Sequence, residues 1–167
     1  QGSVALVTLE ADRETSAALL AGCLKMLQGN PSDNDVLDLL RVTELALHRG
    51  AFKPEEQRAL REVISNRFPA KDARVNRELI RTLVMLQDPT LAPRLVAHLK
   101  SSSPIEERIQ AAMLARHLVA GWTPELRRSY FTWFPVAQSW KAGNSFPKFI
   151  DNIRTEALGN FAPDDEK

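Results

Sequence analysis

Three consecutive segments decide the predicted fold, ARVNRELIRTLVMLQ (73–87), DPTLAPRLVAHLK (88–100) and SSSPIEERIQAAMLARHLVAGW (101–122). Their apolar residues recur at helical spacing, and Asp-Pro, Ser-rich and Gly positions separate them. When the chain is shifted by about one repeat length, an Arg-x-x-apolar-x-x-Leu pattern meets itself. The matching positions are Arg77 with Arg108, Ile80 with Ala111, and Leu83 with Leu114. The pattern predicts stacked helix pairs in which Leu83 and Leu114 are both fully buried.

Capping residues and breakers divide the chain before this stretch into further helices. We predict a first helix over about 14–28, with Cys23 on its apolar face. Ser32 is a good N-cap for a second helix that ends at Gly50, because Ser accepts a hydrogen bond from the first-turn amides. A third helix is predicted from Pro54 to Pro69, and Asp72, shortly after it, is predicted to cap the fourth helix.

The second half of the chain continues in the same way. Residues 91–99 form a short fifth helix, and Ser103 is predicted to cap a sixth that Gly121 ends. Thr123 is predicted to cap a seventh helix that Pro135 kinks or splits, and Ser145 an eighth. Only VALVTL (4–9) alternates like a strand, so we predict no sheet. Residues 162–167 form a short, charged and frayed tail.

Length and composition indicate one soluble globular domain. The chain has 167 residues, of which 44% are hydrophobic and 26% charged. Lys and Arg (22) nearly balance Asp and Glu (21), so the net charge of +1 gives no overall field that would attract nucleic acid. No apolar run is long enough to span a membrane, which excludes membrane insertion. Residues 1–3 are typical of a cleavage-linker remnant, so we expect a single domain over 4–161 excised from a longer protein.

An Asp-Pro turn at Asp88 and Pro89, followed by an apolar helix and then by a helix with an early Arg, resembles the HEAT-like repeat. The resemblance implies an all-α, right-handed α–α superhelix of HEAT- or armadillo-like helix pairs. With the elements above it would contain about eight helices. Each pair buries too little surface alone, so neighbouring pairs share one core and expose a long groove. A compact helical bundle is the alternative, and the two differ in curvature.

A second resemblance covers roughly residues 130–158. The run YFTWF, then Trp140, then Gly143-x-Ser145-Phe146 and PKFIDNIRTEAL, resembles helical modules of large multidomain bacterial proteins of the planctomycete type. Those proteins combine HEAT-like helices with a β-propeller and a c-type cytochrome domain, which implies an extracytoplasmic setting and a haem-binding parent protein. Covalent haem requires C-x-x-C-H, and Cys23 is the single cysteine, so this part of the chain does not attach haem.

Residue patterns give no catalytic or metal site, and we predict no enzyme activity and no cofactor. His48, His98 and His117 lie far apart and have no ligand partner at i+4, so we interpret them as helix-terminal or surface residues. Cys23 is interpreted as inert core packing. The acidic pairs at 55–56 and 106–107 lie in first helical turns, where compensation of the helix dipole explains them.

Basic and aromatic residues concentrate late in the chain. Between residues 94 and 154 basic side chains outnumber acidic ones by nine to four, and they are interleaved with three Trp and one Tyr. Such a surface suits an acidic partner or nucleic acid. The candidate partner-binding residues are Arg127, Arg128, Trp140 and Lys141. The alternative is that the aromatic residues around Trp133 form a cap on the core, with the arginines scattered over separate faces.

Taken together, the sequence predicts a monomeric, non-catalytic scaffold or protein–protein interaction module. Its partner would be another protein or a neighbouring domain of the same parent chain. The alternative from another class is a nucleic-acid-binding HEAT-like solenoid, or a DNA-repair enzyme that uses the late basic and aromatic cluster. The identity of the partner does not follow from any residue pattern.

Overall fold

The computed structural model describes the backbone of residues 2–141 and 143–161 and the side chains of residues 12–141 and 143–161. Throughout the part of the chain it describes, the protein is helical, with eight helices and no strand. This confirms the predicted all-α class and the predicted number of helices. The right-handed stacking of helix pairs stays a prediction. The tail predicted to fray, residues 162–167, lies outside the described residues, as does Gln1 of the predicted linker remnant.

Contacts between helices divide the chain at Leu86 into two compact units, each with four helices. In unit 1 the helices are α1 (Gly2–Gln28), α2 (Asp33–Gly50), α3 (Arg58–Ser65) and α4 (Ala73–Met85). Helix α1 packs along α2, α2 also contacts α4, and α3 contacts both α1 and α4. The centre of this unit is aliphatic, with Leu40, Ile64, Leu79 and Leu83 fully buried, and Cys23 is buried on the inner side of α1. That the chain is one domain over 4–161 stays a prediction.

Unit 2 contains α5 (Leu91–Leu99), α6 (Ile105–Ala115), α7 (Pro124–Gln138) and α8 (Phe146–Phe161). Helix α5 contacts α6 and α7, and α8 contacts α7 and α6. Its centre combines leucines of α5 with the aromatic side chains of α7, of which Tyr130 and Phe134 are fully buried. The predicted concentration of aromatic residues in one helix therefore supplies the core of this unit.

Helix starts that depend on a local cap are where the sequence predicts them. The Ser32 side chain accepts a hydrogen bond from the Asp35 amide, and Asp35 bonds back to the Ser32 amide, which completes a capping box. Asp72 accepts from the Arg74 amide at 2.8 Å, and Thr123 accepts from the Leu126 amide. Each side chain satisfies one of the amides that the first turn of a helix leaves without a partner.

Three predicted helix boundaries are wrong. Helix α1 begins at Gly2 and not near residue 14, so VALVTL lies in a helix. Helix α3 begins at Arg58 and not at Pro54, because Glu56 and Gln57 bond back to the Lys53 amide and the Phe52 carbonyl and hold residues 53–57 in turns. Helix α6 has no side-chain cap from Ser103 and ends at Ala115, well before Gly121.

Burial agrees with the proposed repeat at one position and contradicts it at the other. Leu83 is fully buried, as predicted, whereas Leu114 is only half-buried. Leu114 lies in the last turn of the short helix α6, and the fully buried leucine is Leu118 in the loop that follows. We also expect Ile105 to face inward from its spacing in the sixth helix, and this is wrong, since its side chain is exposed. Phe149 and Leu158, two apolar residues of α8, are exposed as well.

Two loops of unit 2 pack against each other at the ends of α5 and α6. The Gln87 side chain donates to the His117 carbonyl (2.9 Å) and accepts from the Val119 amide (2.8 Å). Gly121 has a φ of 78°, and a Cβ at this position would overlap the Pro89 carbonyl. A side chain at 121 would therefore separate the two loops.

Across the described residues, every helix is too short or too polar to cross a membrane.

Candidate functional site

An open groove of about 610 Å³ lies between α7 and α8 of unit 2. Helix α7 contributes one stripe of side chains at helical spacing, and α8 contributes two side chains one turn apart. The lining residues are Arg128, Phe131, Thr132, Pro135 and Gln138 of α7, and Arg154 and Leu158 of α8. The stripe on α7 extends over about 15 Å at the helical rise per residue. We refer to this surface as the α7–α8 groove.

The floor of the groove is apolar and partly open to solvent. Phe131 is half-buried, and Leu158 keeps 45% of its surface exposed. Pro135 is exposed and has no N–H, so the Phe131 carbonyl one turn earlier lacks its usual helical donor. Helix α7 continues past Pro135 to Gln138, so the proline does not split the helix. The floor therefore combines apolar surface with the Phe131 residue, whose carbonyl receives no hydrogen bond from the backbone of residue 135.

Two arginines border this floor from opposite helices. Arg128 of α7 is exposed and forms no ion pair with any of the described residues. Arg154 of α8 is 3.6 Å from the Asp151 carboxylate, and both side chains are about half exposed. An exposed pair at this distance contributes little, because water and salt screen it. The positive charge at the edge of the groove is therefore largely available to a ligand.

A buried aromatic layer holds α7 in place beneath the groove. The Tyr130 hydroxyl donates to the Ala112 carbonyl at 2.8 Å, and burial raises the pKa of this phenol well above its usual range. The rings of Tyr130 and Phe134 meet edge to face at 5.0 Å, and Trp133 meets Phe134 in the same way at 5.2 Å. Such contacts fix the rotation of α7, so the side chains on its outer stripe have a defined spacing.

The structure separates the four predicted partner-binding residues. Arg128 lies in the α7–α8 groove. Its neighbour Arg127 is half-buried with its guanidinium 5.5 Å from the centre of the Phe161 ring. Adjacent positions on a helix point about 100° apart, so the two arginines leave α7 in different directions.

The other two predicted residues lie around the end of α7. Trp140 is half-buried, with the Arg108 guanidinium 4.6 Å from its ring and Trp133 edge to face at 5.7 Å. Lys141 is exposed. Trp140 therefore stacks on a cation of α6, a geometry in which its ring face is already occupied. Trp133 points inward, as both interpretations of the aromatic cluster predicted.

Sequence reasoning found one arginine of the groove and missed what lies opposite to it. Arg154 contributed to the excess of basic residues but was not singled out. Phe131 was interpreted as part of the cap on the core, and Leu158 only as an apolar residue of the last helix. The spacing between Phe149 and Leu158 contained a usable indication. Nine residues correspond to two and a half turns, so the two side chains lie on opposite sides of α8 and cannot both face the same core.

A second polar contact lies between α5 and α6 and was not predicted. His98 is 7% exposed, and its Nε2 lies 3.2 Å from a carboxylate oxygen of Glu107. Burial lowers the pKa of His98, while Glu107 acts in the opposite direction and Arg108 adds to the lowering. His98 does occupy a last helical turn, as predicted, but it is not a surface residue. Within the described part of the chain, no three His, Cys, Asp or Glu side chains are grouped so that they could hold a metal ion.

Comparison of the chain with models of protein families, with curated proteins and with solved structures finds no match. The resemblances to HEAT-like repeats and to planctomycete-type modules therefore rest on the residue patterns alone.

Proposed function

We propose that this chain is a non-catalytic protein-interaction module and that the α7–α8 groove holds a segment of its partner. The partner would be another protein or a neighbouring domain of the same parent chain. The observation that supports this proposal is the partly exposed apolar floor of Phe131, Pro135 and Leu158 between two arginines. An apolar centre with a polar rim is the usual composition of a protein-binding surface.

We also infer that the helices stack as a right-handed, HEAT-like scaffold and that the chain acts as a monomer within a bacterial multidomain protein. The contacts between neighbouring helices within each unit support this inference, because a single helix pair buries too little surface unless its neighbours share a core. Low-angle X-ray scattering tests the stacking. The stacked scaffold predicts an elongated scattering envelope. A near-spherical envelope would instead support the compact helical bundle.

The alternative, a nucleic-acid-binding surface, has less support from the positions of the basic residues. Binding to a phosphate backbone depends on several cations that follow one track. Three arginines of unit 2 instead face other groups: Arg127 faces Phe161, Arg108 lies over Trp140, and Arg116 is 3.1 Å from the Glu156 carboxylate. We therefore favour a protein partner, and the experiment includes a nucleic-acid arm.

Selection from a displayed library of random peptides tests the proposal. We expect binders whose affinity falls about tenfold or more when Leu158 is replaced by Ser, since this removes most of the apolar contact area of α8 in the groove. Phe149→Ser is the matched control. It removes an equally exposed apolar side chain from the opposite side of the same helix, and binding should stay within a factor of about two.

Retention on heparin and on a single-stranded oligonucleotide, measured against salt concentration, forms the second arm. We expect weak retention that Leu158→Ser does not change. Steep salt dependence together with no selected peptide would overturn the protein-binding proposal in favour of nucleic acid. Selected peptides that bind Leu158→Ser as well as the unchanged protein would place the interaction outside the α7–α8 groove.

A further inference from the structure

We infer that the α7–α8 groove selects an acidic, amphipathic protein segment, in which carboxylates flank an apolar side chain. The inference rests on the proposed function and specifies the chemistry of the partner. The apolar side chain would lie on Phe131, Pro135 and Leu158, and the carboxylates would pair with Arg128 on one side and Arg154 on the other.

The charges around the groove determine the sign of the partner. No carboxylate is among the described residues that line it, whereas both helices contribute an arginine. Glu125, one turn earlier on α7, is an acid that interacts electrostatically with Arg128. The pKa of Glu125 is lowered first by a hydrogen bond to its own backbone amide, then by the Thr123 hydroxyl, and least by Arg128. The Glu125 carboxylate is therefore stabilised mainly by hydrogen bonds at the start of the helix. The Arg128 guanidinium stays available to pair with a ligand.

Arg154 is available for a different reason. Its pair with Asp151 spans 3.6 Å between largely solvated groups, so a ligand carboxylate can replace it or join it at little cost. An arginine offers five N–H donors and can hold two acceptors at the same time. A ligand carboxylate at Arg154 therefore does not require Asp151 to leave.

The backbone at Pro135 favours a polypeptide over a phosphate-bearing ligand. The Phe131 carbonyl lacks its usual donor at position 135, and Thr132 donates its hydroxyl to the Ser129 carbonyl at 3.0 Å, which leaves its oxygen as an acceptor. The Thr132 hydroxyl thus gives the α7 wall of the groove an acceptor beside the cations at its edges. A phosphate diester supplies acceptors only, while a peptide supplies N–H donors together with its carboxylates.

Isothermal titration calorimetry with three synthetic peptides tests the inference. Each has about 14 residues, mostly Ala and Gln, which is long enough for partial helix formation. Each carries two Leu one turn apart, and these are flanked by two Glu, two Gln or two Lys. We expect the Glu peptide to bind most tightly and the Lys peptide least tightly, with a Glu-to-Gln difference of about fivefold or more for two exposed ion pairs at low salt.

Variants of the protein locate the effect. Arg128→Gln combined with Arg154→Gln should reduce the affinity for the Glu peptide about fivefold and leave that for the Gln peptide unchanged. The matched control, Lys100→Gln with Lys148→Gln, removes the same charge from exposed positions outside the groove and should have little effect. Arg128→Glu with Arg154→Glu should reverse the order, so that the Lys peptide binds most tightly.

The possible outcomes separate this inference from the proposed function. If the Glu and Gln peptides bind equally and Leu158→Ser still abolishes binding, the groove binds protein but does not select acidic segments, and the inference is wrong. If no peptide binds and the library selection yields none, both proposals are wrong. If an oligothymidylate binds and the Arg128→Gln, Arg154→Gln variant loses that binding alone, the arginines serve a nucleic acid and the inference is overturned.

Discussion

In both units a buried hydroxyl donates a hydrogen bond in which one of the two partners is ionisable. The two bonds differ in how far their surroundings are open to solvent. In unit 1 the Thr82 hydroxyl donates to the Glu44 carboxylate at 2.8 Å, where α2 meets α4 and Glu44 is half-buried. In unit 2 the Tyr130 hydroxyl donates to the Ala112 carbonyl, also at 2.8 Å, in a fully buried aromatic layer. Burial raises the pKa of both acids. The hydrogen bond of unit 2 is therefore fully buried, whereas that of unit 1 is partly open to solvent.

The outer grooves of the two units differ in a corresponding way. Unit 1 has a groove of about 470 Å³ between α1 and α2, where Leu19, Met26 and Val42 are exposed and no charged side chain is among the described residues that line it. The α7–α8 groove of unit 2 has a similar apolar floor but carries two arginines. Apolar surface alone supports affinity, whereas fixed charges exclude partners of the wrong sign. Only the groove of unit 2 therefore indicates the chemistry of its partner.

The largest predicted effect separates the two repeat-equivalent leucines. Leu83→Ala should lower the free energy of unfolding by about 2–5 kcal/mol, because it opens a cavity in the aliphatic centre of unit 1. Leu114→Ala should cost less than about 1.5 kcal/mol, because Leu114 is only half-buried in the last turn of α6. Urea unfolding monitored by circular dichroism measures both. Equal losses would show that the two positions are packed alike.

These two leucines show which parts of the fold follow from sequence. Helical spacing predicts that both face inward, and at Leu83, two residues before the end of α4, it is correct. At Leu114 the helix ends one residue later, and the loop that begins there places Leu118 in the core instead. Where α6 ends depends on the contact of its loop with Gln87 and Pro89, which lie about thirty residues away in the chain and form no local pattern.

At the candidate site, too, local features could be predicted from the sequence and contacts between helices could not. The caps predicted at Ser32, Asp72 and Thr123 are confirmed, whereas the cap predicted at Ser103 is wrong, although all four depend on residues within one turn. Arg128 was singled out from its local density of charge and aromatic residues. Its counterpart Arg154 is on another helix, and only the packing of α7 against α8 brings the two to one groove. The sequence contains both residues, but their proximity is a tertiary property.

The second prediction uses the single tyrosine of the chain. Because burial raises the pKa of Tyr130, the phenol should stay protonated in the folded protein where a free tyrosine ionises. The folded state then binds one proton more than the unfolded state, so the free energy of unfolding falls above about pH 10, by up to about 1.4 kcal/mol per pH unit. Absorbance near 295 nm should rise only together with loss of the circular dichroism signal.

Tyr130→Phe supplies the control for this alkaline effect. The variant loses the hydrogen bond to Ala112 and should be less stable at neutral pH by about 1–2 kcal/mol, because a buried carbonyl loses its donor. Its stability should no longer show the decline above pH 10 that ionisation of the phenol causes. A smooth phenolate titration in the folded protein would mean that Tyr130 is accessible and that the aromatic layer of unit 2 is not closed.

The smallest expected effect tests the open edge of unit 1. Burial raises the pKa of Glu44, and the Thr82 hydrogen bond and Arg81 oppose the shift without cancelling it. The folded state therefore holds a proton on Glu44 at a pH where the unfolded state has released it, so this group favours folding at low pH and that contribution is lost as the pH rises through the raised pKa.

Glu44→Gln removes the charge and keeps an oxygen for Thr82. Its melting temperature should equal or exceed that of the unchanged protein at pH 7, with the difference disappearing below about pH 4. Glu78→Gln, which breaks the 3.1 Å pair with Arg81, should instead lower the melting temperature at pH 7. If Glu44→Gln were the less stable protein at pH 7, the carboxylate would be stabilised by its neighbours, and the contrast between the open edge of unit 1 and the closed centre of unit 2 would be wrong.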